Sequence, residues 1–315
     1  MTRGPASDLS AAIALVEGGD AAAAIRILEP IARANPRNAR AFYWLGRAFL
    51  AEGRPADASQ WLERAAALEP NRAEDHLWLA RAYAGEAAHS INAVRLFVLG
   101  WSIGDELETA VRLDPASLDA RLDLVRYFVL APRIVGGGVA KAKQEAAEIA
   151  HRNPPLGAYA LGYIAYRGKE YDAARKHFGD AINGARAALA NGSDPRAQET
   201  LILTLTWFGY LSQETHDYDA AFDAFGAVIA ADPVHTEALY EIGRTAVFAG
   251  RELDRGQDAL RKYLASKPRP GMPSLASAHL QLGLLLEKRG DREAAKREIA
   301  AALRLDPEVE GGKAQ

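Results

Sequence analysis

Three consecutive glycines, Gly136, Gly137 and Gly138, precede Lys141, and glycine-rich backbone followed by lysine is typical of phosphate-binding loops. A P-loop needs a glycine, four residues and then Gly-Lys-Ser/Thr after a β-strand. Here valine follows the last glycine, and no strand pattern precedes the first. We therefore predict a turn between two helices, in which Pro132 ends the first helix and the glycines reverse the chain with positive φ.

Two alternatives remain for this segment. In the first, backbone N–H groups at the start of the second helix form an anion site together with Lys141 or Lys143. In the second, residues inserted near Trp101 create a small pocket beside the glycines. A filled core is the more common outcome for such apolar insertions.

Other residue types with catalytic or metal-binding chemistry are scattered along the chain. There is no cysteine, and none of the seven histidines pairs with another at a spacing of three or four residues. The motifs HExxH and GxSxG and the EF-hand loop are absent from the sequence. We predict that the protein is not an enzyme and that it binds no cofactor and no metal.

The overall composition narrows the classes of partner. The chain has 315 residues and a formal net charge of −3, which disfavours nucleic acid as a partner. No apolar run reaches the length of a transmembrane helix, and the first residues lack a secretory signal pattern. The sequence leaves two compartments possible, the cytoplasm and, if a leader was removed, the periplasm.

Prolines recur at intervals that indicate a repeat. Pro36 and Pro70 lie 34 residues apart, the period of the tetratricopeptide repeat. Between them, a first helix carries Leu45 and Gly46, and a second helix carries Leu62. The glycine allows the second helix to approach closely, and the proline stops that helix.

The chain resembles the tetratricopeptide-repeat family over almost its whole length, because the same grid of Leu-Gly, Ala and Pro positions returns after every insertion. The resemblance implies an all-α fold, a single right-handed solenoid of about eight helix pairs. We predict repeats at residues 5–38, 39–72, 73–117, 118–154, 155–201, 202–235, 236–275 and 276–309, with a flexible tail at 310–315.

Repeats three and four are longer than 34 residues. The surplus in repeat three is apolar, including Phe97 and Trp101, and is predicted to lengthen the helices. These repeats are also similar to a bacterial tetratricopeptide subgroup of undefined function with an Ala-Pro-x-Ile-x-Gly-Gly…Lys-Ala segment. The residues that carry this likeness are Tyr127, Phe128, Ala131, Pro132, Ile134, Gly136, Gly137, Lys141 and Ala142.

The family resemblance also implies where a partner binds, because ligands of such solenoids meet the inner faces of the first helices. The positions predicted to line that groove are Tyr43, Arg47, Arg81, Arg126, Tyr159, Tyr163, Tyr210, Tyr240 and Arg244. Arginine and tyrosine suit a peptide with acidic groups. The alternative is a structural face in which these arginines pair with acids on neighbouring helices.

Two functions follow from these patterns. The leading prediction is a non-catalytic scaffold that binds a protein or peptide, with acidic groups, in the groove. The alternative is a small-molecule binding protein, associated with transport, whose pocket lies at the insertions of repeats three and four. Self-association stays open, because the end helices of a solenoid must be capped or paired.

Overall fold

The computed structural model describes residues 5–266 and 268–309. Within those ranges the chain contains helices, turns and no β-strand, which confirms the all-α prediction. The tail predicted at 310–315 lies outside the described residues.

The chain divides into two compact units, residues 1–149 and 150–315. The helices of the first unit are α1 (Pro5–Glu17), α2 (Ala21–Ala34), α3 (Ala39–Ala51), α4 (Pro55–Leu68), α5 (Ala73–Ala88), α6 (Ala93–Leu113), α7 (Leu118–Leu130) and α8 (Val139–Arg152), whose last residues belong to the second unit. Those of the second unit are α9 (Pro154–Arg167), α10 (Tyr171–Asn191), α11 (Ala197–Glu214), α12 (Tyr218–Ala231), α13 (Thr236–Ala249), α14 (Leu253–Leu264), α15 (Leu275–Arg289) and α16 (Arg292–Leu305).

The helices pack in sequence-consecutive pairs within each unit. In the first unit each helix from α1 to α6 contacts the next, and in the second unit the same holds from α9 to α15. First helices of neighbouring pairs also meet, as α1 does with α3 and α9 with α11. The predicted architecture of paired helices is confirmed.

Glycines of the first helices allow this packing. A Cβ atom at Gly209 would lie 2.5 Å from the ring of Phe225 on the following helix, and one at Gly162 would lie 2.5 Å from Phe178. Gly46 stands in the same relation to Leu62. A side chain at these positions would force the paired helices apart, so the spacing read from the sequence has a steric cause.

The helix ends follow ordinary capping chemistry. Asn38, Asn92 and Ser117 each accept a hydrogen bond from a backbone N–H of the first turn of their helix. Pro154 begins α9, where its missing N–H costs nothing. The helix starts are therefore local consequences of the sequence.

The insertions of repeats three and four lengthen one helix and form one connector. The surplus of repeat three lies in α6, which is 21 residues long, and the predicted lengthening is confirmed. The connector, residues 131–138, joins α7 to α8 and contains a short 3-10 helix, Arg133–Val135.

Candidate functional site

The glycines of the connector differ from one another in what they do. Gly136 has φ +102°, whereas Gly137 and Gly138 lie outside the left-handed region, so the prediction of positive φ holds for the first glycine alone. Position 137 requires glycine for a steric reason instead, because a Cβ there would overlap the carbonyl of Ala131. The turn is therefore a tight fold of the chain and not a run of left-handed residues.

The N–H groups of the connector are engaged within it. Gly136 donates to the Arg133 carbonyl at 3.1 Å, and Gly137 donates to Pro132 at 3.2 Å. Gly138 donates to the Phe128 carbonyl at 2.8 Å. The glycine amides are thus used to hold the turn.

Lys141 lies in the first turn of α8, close to the glycines. Its Nζ donates to the Gly136 carbonyl at 3.3 Å and lies 5.1 Å from the centre of the Phe128 ring. A small pocket of about 330 Å³ beside it is also lined by Arg112, Glu108 and Glu145, so its formal charges cancel and do not favour an anion. The anion site stays a prediction that gains no support from these contacts.

A larger cavity of about 850 Å³ lies in the first unit between α5, α6, α7 and the connector. Its wall is mostly apolar, with large side chains from Leu96, Phe97, Ile103, Leu107, Leu130 and Ile134. Small side chains of α5, at Ala80, Ala84 and Ala87, leave the space that these groups surround.

The shape of this cavity depends on two glycines of α6 one turn apart. A Cβ at Gly104 would lie 2.5 Å from the hydroxyl oxygen of Tyr127, and one at Gly100 would lie 3.2 Å from the side chain of Val135. The Tyr127 hydroxyl donates to the Val135 carbonyl oxygen, and Tyr127 is buried. The connector is therefore held against both α6 and α7.

Trp101 does not line the cavity, although the sequence suggested it as a pocket residue. Its side chain is 55% exposed. Each helical residue turns about 100° from its predecessor, so Gly100 faces the cavity and its neighbour turns away. Trp101 joins Val94 and Val98, 75% and 55% exposed, in an adjoining row on α6. We call these three residues the apolar row.

Arg81, Asp123 and Arg126 stand at the polar part of the cavity wall. Arg81 Nε donates to Asp123 Oδ2 at 2.6 Å, and Arg126 Nη1 donates to Oδ1 of the same carboxylate at 3.1 Å. The structure thus brings two predicted groove arginines to one carboxylate, which sequence reasoning did not identify as their partner. The sequence did contain one signal for this contact, since Asp123 is an acidic residue on the first helix of the following repeat.

Arg47 lies apart from that cluster, between two indole rings. Its guanidinium carbon is 4.4 Å from the ring centre of Trp44 and 4.3 Å from that of Trp78. Cation–π contacts of this kind stabilise neighbouring helices. Within the first unit, Arg47 therefore connects α3 to α5.

The predicted groove tyrosines are mostly interior. Tyr43, Tyr159, Tyr163 and Tyr240 are buried, and burial raises the pKa of Tyr240 to about 12. Tyr163 packs edge-on against Trp207 at 4.9 Å, which is core packing. Buried rings of this kind offer little surface to a partner.

Tyr210 and Arg244 belong to a buried polar network of the second unit. Tyr210 donates to Glu237, while Arg244 pairs with Glu241 at 2.9 Å and donates to Gln213 at 2.6 Å. Burial raises the pKa of Glu241 to about 7, against the lowering effect of Arg244. These groups contact one another inside the unit.

No catalytic or metal-binding cluster stands out among the described residues. His76 Nδ1 lies 2.6 Å from Glu106, and His279 Nδ1 lies 2.6 Å from Glu298, so each of these histidines contacts one carboxylate. Residues 5–266 and 268–309 contain no group of three potential metal ligands and no helix long and apolar enough to cross a membrane. The apolar cavity is the candidate site.

Comparison with protein families identifies the repeats. Residues 9–73 and residues 276–309 match two models of the tetratricopeptide repeat. The chain contains tetratricopeptide repeats. The matched segments lie in separate units, and the pairs α5–α6, α9–α10, α11–α12 and α13–α14 between them also pack consecutively.

Solved structures with a similar fold come from several organisms. The human IFIT1 dimer with m7Gppp-AAAA is 15% identical with a TM-score of 0.54, over 96% of this chain and 72% of that one. TTC0263, a thermophilic tetratricopeptide protein of Thermus thermophilus, is 20% identical with a TM-score of 0.48, over 63% and 99%. Pseudomonas aeruginosa pilF is 16% identical with a TM-score of 0.45, over 87% and 96%. No curated protein sequence matches the chain. At 15% identity the similarity to the IFIT1 structure shows the fold alone.

Proposed function

We propose that this tetratricopeptide chain is a non-catalytic interaction scaffold, and that an apolar segment of a partner protein docks in the cavity of the first unit. Repeats of this type typically serve as interaction scaffolds, which supports the general function. The observation that carries the proposal is the exposure of large apolar side chains in and around the cavity, including Phe97, Leu130 and Ile134.

The extent of the exposed surface favours a protein segment as the occupant. The first two turns of α6 expose apolar side chains on nearly all sides, and such a helix is usually covered. A ligand that fits within about 850 Å³ would leave the apolar row exposed. A protein segment that enters the cavity and crosses Val94 and Val98 covers both surfaces at once.

This site differs from the groove predicted from the sequence. A partner cannot contact the rings of Tyr43, Tyr159 or Tyr240 without displacing core packing. Arg81 and Arg126 remain part of the proposed site, because both line the cavity. A continuous groove over all eight repeats stays a prediction.

A displayed library of random 16-residue peptides is selected for binding to the full chain. The selected peptides are then the probe. Ala84 lines the cavity and is exposed, so A84W fills the space without disturbing buried packing. Ala88, one turn further along α5, is exposed and lies outside the cavity wall, which makes A88W the matched control. We expect selected peptides to lose at least tenfold in affinity on A84W and to keep their affinity on A88W.

Calorimetry with two or three synthetic peptides from the selection gives the affinities. Equal affinity for the wild type and A84W would place the peptides elsewhere and reject this docking site. A selection that enriches nothing above the background without bait would also count against the proposal.

A small-molecule ligand is the second candidate, favoured by the volume of the cavity, which lies within the range of ordinary ligand pockets. One compound of a metabolite set would then raise the melting temperature of the wild type as its concentration rises, and A84W would abolish that shift. A screen without any such compound would reject this candidate. The bacterial subgroup, the compartment and the exclusion of nucleic acid stay predictions.

A further inference from the structure

The cavity wall offers few backbone partners to an extended segment. It is built from α5, α6, α7 and the connector, and the backbone N–H groups of the three helices are hydrogen-bonded within each helix. The glycine N–H groups of the connector donate to carbonyl groups of residues 128–133. An extended segment in this space would bury its own N–H and C=O groups without partners, which costs free energy. A helix pairs these groups internally and avoids that cost.

The polar side chains of the wall do not replace those partners. Arg81 donates to Asp123 at 2.6 Å, and the Tyr127 hydroxyl donates to the Val135 carbonyl oxygen. Apart from Arg81, Asp123, Tyr127 and Arg126, the described residues that line the cavity have apolar side chains or none. The backbone of an occupant therefore meets hydrocarbon over most of its length, which favours a helix over an extended chain.

The apolar row has the geometry of a contact between helices. Val94, Val98 and Trp101 are separated by four and three residues, so they lie along one side of α6. Side chains at this spacing interdigitate when two helices pack along each other. The row runs about 10 Å along the helix axis, which a partner helix of about three turns covers.

The amount of exposed apolar surface matches a protein partner. Side chains between 44% and 75% exposed stand in the cavity wall and along the row, namely Val94, Phe97, Val98, Trp101, Leu130 and Ile134. Together they present on the order of several hundred Å² of surface, a patch size that marks an interaction site. This area approaches the roughly 800 Å² that each partner contributes to a stable interface.

A second copy of this chain would cover only part of this surface. If two copies met row to row, Leu96 and Phe97 of each α6 would stay in the wall of their own cavity. Contact between the rows would then leave both cavities unfilled. A separate helix with a wider apolar face covers the row and fills the cavity at once.

We infer that the docked segment is an amphipathic α-helix of another protein that lies along α6. Its apolar side chains recur at intervals of three and four residues, so that one line packs on the apolar row and the adjoining line enters the cavity. Its opposite face is polar and meets solvent. This inference rests on the proposed function and adds the conformation and the residue spacing that select the partner.

Proline substitution in the selected peptides tests the helical conformation. In each synthetic peptide, proline replaces one polar residue in the middle, so no apolar contact is removed. The matched control places proline at the first residue of the peptide, a position that a helix tolerates. We expect the middle proline to lower the affinity for the wild type at least tenfold and the first-residue proline to change it less than twofold.

A substitution on α6 tests where the helix lies. Val98 is exposed, so V98K puts a charge into the row without disturbing buried packing, and its melting curve checks this. Ala67 is exposed on α4, which does not line the cavity, and A67K is the control. We expect the selected peptides to lose at least tenfold in affinity on V98K and to keep their affinity on A67K. Sedimentation of the free chain should give the 33.9 kDa of one copy.

The proline comparison on the wild type stands even if V98K folds poorly. Selected peptides without helical spacing, or a middle-proline peptide that binds as tightly as its parent, would overturn the inference. Equal affinity for the wild type and a folded V98K would place the peptide away from the row and overturn it as well. A free chain with the mass of two copies, returned to one copy by V98K, would assign the row to a second copy instead. Binding that A84W still abolished in these cases would leave the docking function intact, so the two failures are distinguishable.

Discussion

Arg81 on α5 and Asp123 on α7 form an ion pair at the cavity wall, with 2.6 Å between Nε and Oδ2. The pair joins the first helices of two successive repeats, next to the insertions that make these repeats irregular. The cavity between the repeats is therefore bounded by a fixed polar contact on one side and by exposed apolar side chains on another.

Replacing Asp123 tests how much that contact stabilises the first unit. D123N removes the carboxylate from two guanidinium groups that both donate to it. We expect the free energy of unfolding to fall by about 1–3 kcal/mol, since part-buried cations lose their partner. Urea unfolding measures this. The exposed Asp105 of α6 provides the control, D105N, with a change within about 0.5 kcal/mol. Equal stabilities of the two variants would contradict the structural role.

The stacking of Arg47 between Trp44 and Trp78 predicts a structural effect of R47K. Lysine lacks the planar group that lies against both rings, so we expect a loss of about 1 kcal/mol in the free energy of unfolding. Thermal or urea unfolding measures this loss, and R33K, at the exposed Arg33, is the control. If R47K kept full stability but lost the selected peptides, the groove role predicted from the sequence would be correct instead.

Gly104 and Gly179 predict opposite outcomes for two glycine-to-alanine changes. G104A places a methyl group only 2.5 Å from the hydroxyl oxygen of Tyr127 and should lower the free energy of unfolding by about 1–3 kcal/mol. G179A in α10 meets no atom within 4 Å and should raise it by about 0.5–1 kcal/mol, because alanine favours helix. Unfolding curves of both variants check the pair. A neutral G104A would mean that α6 and α7 are less closely packed.

Asp75 predicts a pH dependence of stability. Its carboxylate is fully buried, with Arg72 as an ion-pair partner at 3.6 Å, and burial raises its pKa from 3.8 to about 6. Between these two values the folded state holds a proton that the unfolded state has lost, so stability falls as the pH rises from about 4 to 6. D75N stays neutral throughout. The free energy of unfolding of D75N should therefore exceed that of the wild type by about 1–3 kcal/mol at pH 7 and match it near pH 4.

Unfolding of the wild type and D75N at several pH values measures this difference. D223N, at an exposed position of α12, is the control and should follow the wild type. A constant difference between D75N and the wild type at all pH values would show that Asp75 is not protonated in the folded state.

The fold was predictable because its signals are local and repeat. Leu45, Gly46 and Leu62 have equivalents in later repeats, and the contact of Gly46 with Leu62 follows from the helical spacing. The caps at Asn38 and Ser117 need only the first turn of their helices. Such features do not depend on how distant parts of the chain meet.

The site was less predictable, because it depends on which side of a helix faces a distant segment. Trp101 was predicted as a pocket residue because it lies with the inserted residues, but Gly100 faces the cavity, and the two positions differ by one residue along the helix. The burial of Tyr43 and Tyr240 depends on neighbours in adjacent helices. Packing of Gly104 on Tyr127 requires the path of α7 relative to α6, which no single segment of sequence specifies.

Cysteine protection tests the docking site most directly, because the chain has no cysteine of its own. A84C places one thiol in the cavity wall, and A88C places one on the same helix outside it. A saturating selected peptide should slow alkylation of A84C by at least tenfold and leave the rate of A88C unchanged. Equal rates for A84C with and without bound peptide would show that the cavity is not where the partner segment binds.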